Sequence, residues 1–150
     1  MRFSVLTGTG RSIVFGDDPR SGELSPVETI AAALAACSAM DVIAILVKKR
    51  ERVGSYSVSV SAVQRSEYPQ VLTRIEVVHS VSGAGVSEEA VRRAIELSAT
   101  TYCPVSAMLS AGETEIHHRY EVRGTGAAPL EAAGEVVVTG PYRRPDIVRE

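Results

Sequence analysis

The chain has two cysteines, Cys37 within "IAAALAACSAMDVIAILV" and Cys103 within "TTYCPVSAML". Pro104 suits the first position of a helix, which makes Cys103 its N-cap, where unpaired amides and the helix dipole favour thiolate over thiol. Cys37 lies far from either end of its apolar run. The small neighbours Ala35, Ala36 and Ala39 suit tight packing, either inside the subunit or against a partner helix. There is no C-x-x-C, and the adjacent His117 and His118 fall on opposite faces of a strand, so the spacing does not predict a metal site. The opening "MRFSVLTGTG" has no apolar core of a signal peptide, and the expected location is the cytoplasm. Two thiols in that setting point to a cycle of thiolate, sulfenic acid and disulfide.

The elements that must hold these thiols can be read from local signals. At 150 residues the chain is long enough for one domain with a sizeable core. With 16 basic and 18 acidic residues dispersed along it and no Trp, it offers neither a phosphate-binding block nor a stacking platform, which excludes nucleic acid as the expected partner. Phe3 and Val5 alternate before "TGTG", and Ile13 and Phe15 after it, predicting a hairpin. "SPVE" then sets Ser25 as N-cap, Pro26 at the first helical position and Glu28 as the reciprocal partner of a capping box. The helix should run to about Lys49. Its apolar stretch is long enough to span a bilayer, but Asp41 at its middle predicts a buried helix and no membrane insertion.

Period-two alternation predicts strands at "YSVSVSAV" and from about Val71 to Val81, and again at "TEIHHRYEV". Between the last two, Ser87 caps a second helix that begins with Glu88 and Glu89. This order gives an α+β domain with helices on an antiparallel sheet. Residues 1–123 form the expected domain. The Gly-, Ala- and Pro-rich 124–150 is read as a C-terminal tail, either an edge strand or mobile.

Three stretches, "SPVETIAAALAACSAMDVIAILVKKR", "SEYPQVLTRIEV" and "AIELSATTYCPVSAML", resemble the OsmC/Ohr family of organic hydroperoxide reductases, in particular its less characterised OsmC-like branch. The resemblance covers about residues 1–122. It implies an intertwined homodimer with the long helices back to back and two sites at the interface. It also implies a thiol-dependent peroxidase. Cys37 matches the cysteine that attacks the peroxide, and Cys103 matches the one that resolves the sulfenic acid to a Cys37–Cys103 disulfide. This reverses the order of reactivity expected from the helix cap alone.

The same resemblance implies an arginine from the first hairpin beside Cys37, here Arg11 or else Arg20, held by a glutamate. Where the family has N-P-E this chain has Val27 after the proline, with Glu28 one residue later, about 100° further round the helix. Tyr102 and Ser106 either line the pocket or pack the helix, and the role of Asp41 is left open. The implied substrate is a small organic or lipid hydroperoxide, and an external dithiol, of lipoyl type, resets the disulfide. No metal or flavin is implied. The alternative is a non-catalytic redox sensor or a dimer that binds an apolar ligand.

Overall fold

The computed structural model describes residues 1–18, 20–125 and 129–140. Strands β1 (Arg2–Leu6) and β2 (Ser12–Gly16) form an antiparallel hairpin. Helix α1 (Pro26–Lys48) follows, then β3 (Val53–Gln64), β4 (Leu72–Ala84), α2 (Glu88–Leu97), a π-helical turn (Ser98–Tyr102), α3 (Pro104–Ser110), β5 (Glu115–Thr125) and β6 (Leu130–Thr139). The main sheet has the order β3-β4-β5-β6.

The expected α+β architecture is present. One pair, β4 with β5, is parallel, whereas the alternation alone suggested an antiparallel sheet. The reason lies in the connection, because α2, the π turn and α3 intervene between the two strands. A crossover of that length returns the chain in the same direction, which a tight hairpin cannot do. Strand β6 occupies the sheet edge beside β5. Its alanines and glycine hide the strand signal, and Gly134 lets the strand pass close to the Tyr120 ring, which a Cβ there would approach to 3.1 Å. The rest of the expected tail, 126–128 and 141–150, lies outside the described residues.

Helix α1 starts as its sequence requires. The Glu28 amide donates to Ser25 Oγ at 3.2 Å, and the Ser25 amide donates to the Glu28 carboxylate at 2.8 Å. Ser25→Ala should therefore lower stability by about 1 kcal/mol, whereas Glu28→Gln, whose amide oxygen can still accept from Ser25, should change it by less than about 0.5 kcal/mol. Urea melts of the two variants check this.

One face of α1 lies on the sheet, burying Leu34, Val42 and Leu46 completely. The core divides into two apolar clusters, one around Leu34, Ile75, Val77 and Ile116, the other around Val42, Leu46, Val81 and Ile95. Between them runs a buried polar layer: Ser38 on α1, His79 between Val77 and Val81 on β4, and His118 on β5. The opposite face of α1 is uncovered in a single chain, with Met40 73% exposed. So are the apolar side chains of the hairpin, Phe3 at 62% and Leu6 at 73%. The hairpin strands pack chiefly on each other.

Candidate functional site

The sequence places Cys37 and Asp41 four residues apart, hence on one face of α1. Cys103 reaches that face from the other side. Helix α2 widens into the π turn, whose closing bond runs from the Cys103 amide to the Ser98 carbonyl at 2.9 Å. This inserts a wider turn between α2 and α3 and turns Cys103 inward, a use of π-helical geometry common at functional sites. As a result Cys37 Sγ, Cys103 Sγ and an Asp41 carboxylate oxygen all lie within 4.8 Å of one another. Cys37 is half-buried and Cys103 is buried.

Cys103 is the N-cap of α3, with the Ser106 amide donating to its sulfur at 3.3 Å. The cap does not activate it. Burial pushes the Cys103 thiol up to about 11, and neighbouring Cys37 adds to the rise while the Ser106 amide opposes it. The expectation of a reactive Cys103 is thus corrected: α3 has seven residues, and the field of so short a helix is outweighed by desolvation. Ser106 Oγ donates to the Ala99 carbonyl at 3.2 Å, which ties α3 to the π turn, and Tyr102 is 56% exposed.

Asp41 finds its partner in Ser98, whose Oγ donates to Oδ2 at 3.0 Å. Ser98 Oγ also lies 3.2 Å from Ser38 Oγ, which in turn is 3.4 Å from His79 Nε2, and His79 Nδ1 is 2.8 Å from the Tyr56 hydroxyl. A hydroxyl carries one proton. Ser98 is the donor to both neighbours, so its proton is shared between the Asp41 carboxylate and Ser38 Oγ. The polar chain from Tyr56 to Asp41 ends at the carboxylate beside the two sulfurs. Sequence reasoning missed it. Its signals were Ser38 between Cys37 and Asp41, and a histidine on the apolar face of each central strand.

Burial holds His79 at about 4 and His118 at about 3, with neighbouring histidines lowering His118 further. Their rings stack with centroids 6.3 Å apart, and neither ring nitrogen of His118 has a partner among the described residues. Because the unfolded chain takes up protons near 6.5 and the folded one only near 4 and below, the unfolded state binds more protons throughout that interval. Stability should fall as the pH drops from 6.5 toward 4, by about 2 to 4 kcal/mol between pH 7 and pH 5. Urea melts at the two pH values check this, and His118→Met should flatten the dependence.

The other residues expected at the site lie elsewhere in the chain. Arg11 sits at the exposed end of the hairpin, its guanidinium without a hydrogen-bond or ion-pair partner among the described residues. Arg20 pairs with Asp18 at 3.2 Å. Glu28 is engaged by the cap, and the Ser25 amide and hydroxyl lower its pKa. Among the described residues, none of the three bonds to either cysteine.

A family model for OsmC-like protein matches residues 16–119, which takes in α1, both cysteines, β3, β4 and the start of β5. The chain belongs to the OsmC family. Protein YhfA of Escherichia coli strain K12, an OsmC-family relative, is 35% identical over 122 residues, covering 81% of this chain and 90% of YhfA. A hypothetical protein from Aquifex aeolicus VF5 has a crystal structure similar to this OsmC-like fold, with TM-score 0.68 and 26% identity over 84% of this chain and 97% of that one. An organic hydroperoxide resistance protein from Elizabethkingia anophelis shares the fold with TM-score 0.56 and 16% identity, covering 83% and 94% of the two chains.

Proposed function

We propose that this OsmC-family protein is a cysteine-based peroxidase for small organic or lipid hydroperoxides. The observation that carries the reading is the pair of sulfurs within 4.8 Å, one half-buried and one buried. The accessible Cys37 thiolate attacks the terminal peroxide oxygen, the O–O bond breaks, and the alcohol leaves with a proton, so that sulfur is oxidised to sulfenic acid as the peroxide is reduced. Cys103 sulfur then attacks that of Cys37, releasing water and forming the disulfide, which an external dithiol of lipoyl type reduces. Thiol attack on the peroxide requires neither metal nor flavin.

The working unit is an intertwined homodimer. Its support is the uncovered apolar face of α1 and the hairpin that packs chiefly on itself, surfaces a second copy would bury. Arg11, unpaired in the single chain, is the guanidinium that enters the site on assembly and favours the Cys37 thiolate. Glu28 is occupied by the cap of α1 in the single chain.

The test is stopped-flow consumption of cumene hydroperoxide and hydrogen peroxide by the reduced protein, with thiols counted before and after. Fast loss of two thiols per chain with preference for the organic peroxide is expected. Slow, unselective loss would overturn the peroxidase and favour the second reading, a sensor or apolar-ligand dimer. An open groove of about 550 Å³, where Val27, Ile30, Leu72, Met108 and Leu109 meet a rim that includes Arg65 and Glu113, favours that reading.

A further inference from the structure

Local spacing argued against a metal site, yet the fold assembles three donor atoms that no short motif contains. We propose that the reduced site binds one zinc ion through Cys37 Sγ, Cys103 Sγ and an Asp41 carboxylate oxygen, leaving a fourth position for water. Tetrahedral zinc, with metal–sulfur and metal–oxygen bonds of about 2.3 and 2.1 Å, wants its ligand atoms roughly 3.5 to 3.8 Å apart. The three atoms already lie within 4.8 Å of one another, so closing on an ion takes only small side-chain rotations.

Four features of the site fit the ion. Cys37 and Asp41 stand four residues apart on a rigid helix, the spacing by which helical zinc motifs present two ligands. Cys103 is fixed at the head of α3 by the Ser106 amide. Ser98 donates to Asp41 Oδ2, which orients the carboxylate as the outer-shell partners of metal ligands do and leaves Oδ1 uncommitted by this bond. Two sulfurs and one carboxylate select a borderline-soft cation over magnesium or calcium, and the thiols release their protons as the ion binds. Cys37, half-buried, leaves a route in.

The site is redox-gated. Where the chain acts as the peroxidase proposed above, the zinc-bound dithiolate, one hydroperoxide and two protons give the disulfide, free zinc, alcohol and water. The two thiolates lose the two electrons that the O–O bond gains. A disulfide has no thiolate to offer the ion.

The experiment is anaerobic titration of the reduced full chain with zinc against a colorimetric chelator, and with cobalt for its thiolate-to-metal charge-transfer absorption. One ion per chain with a four-coordinate cobalt spectrum is expected. Cys37→Ser, Cys103→Ser and Asp41→Ala should each abolish the tight site. Ser98→Ala, which removes no ligand, should weaken it by roughly 10- to 100-fold. His117, which lies between Glu115 and Glu135, supplies the control, and His117→Ala should leave the affinity unchanged. The proposal is overturned if the reduced protein binds no ion tightly, or if Asp41→Ala, Cys103→Ser or the disulfide form binds as well as the reduced wild type. Zinc binding with slow peroxide reaction would sustain this site and remove the peroxidase; the opposite pair of results would do the reverse.

Discussion

Cys37→Ser is expected to reduce peroxide consumption to the background of buffer, with no thiol lost from the remaining Cys103. Cys37 is the more accessible sulfur of the pair, while Cys103 is buried and protonated far above neutral pH. A serine hydroxyl at position 37 is almost wholly un-ionised near pH 7 and a poor nucleophile toward a peroxide oxygen, and Cys103 cannot take over because it is the thiolate that attacks. The fold should survive, since the swap exchanges one small side chain for another at a half-buried place. Stopped-flow peroxide assays beside a urea melt make the check. A variant that folds and still consumes organic peroxide at the wild-type rate would remove Cys37 from the mechanism.

Cys103→Ser should give a different failure, one peroxide reduced per chain and then arrest. With no second sulfur, the Cys37 sulfenic acid has no partner within reach and accumulates, to be trapped by a dimedone-type reagent and counted by mass. Serine is a preferred N-cap and can accept from the Ser106 amide as Cys103 does, so α3 is kept and the loss is one of chemistry. The wild-type step also has a pH signature. The Cys103 thiol titrates near 11, so the thiolate fraction in the reduced protein rises about tenfold per pH unit below that value. Disulfide formation should accelerate accordingly between pH 7 and 10, in a phase that Cys103→Ser lacks. A pH-independent second phase would mean that Cys103 does not attack as a thiolate in equilibrium with solvent.

Both predictions rest on a site only half visible in the chain order. Ser25, Pro26 and Glu28 announced the start of α1, and Ser87 that of α2, because a cap is satisfied within a few residues. The buried faces of β4 and β5 were equally legible from period two. Strand β6 was harder to read, since Ala132, Ala133 and Gly134 carry little strand preference and are held there by pairing with β5. The parallel pairing of β4 and β5 followed from the length of the crossover.

What the sequence determined by itself, then, was the hairpin, the helix starts, the strands up to β5, the α+β class and the two thiols, together with a resemblance that the family match confirms. Tertiary structure alone decided the site. It brought Cys103 to Cys37 across more than sixty residues, gave Asp41 its partner in Ser98, and linked Ser38, His79 and Tyr56 to them in one polar chain. It also silenced the Cys103 cap. Helix starts and strand faces are settled by neighbours in the chain, whereas a thiol's charge depends on how much water the packed fold removes, a quantity no local pattern carries.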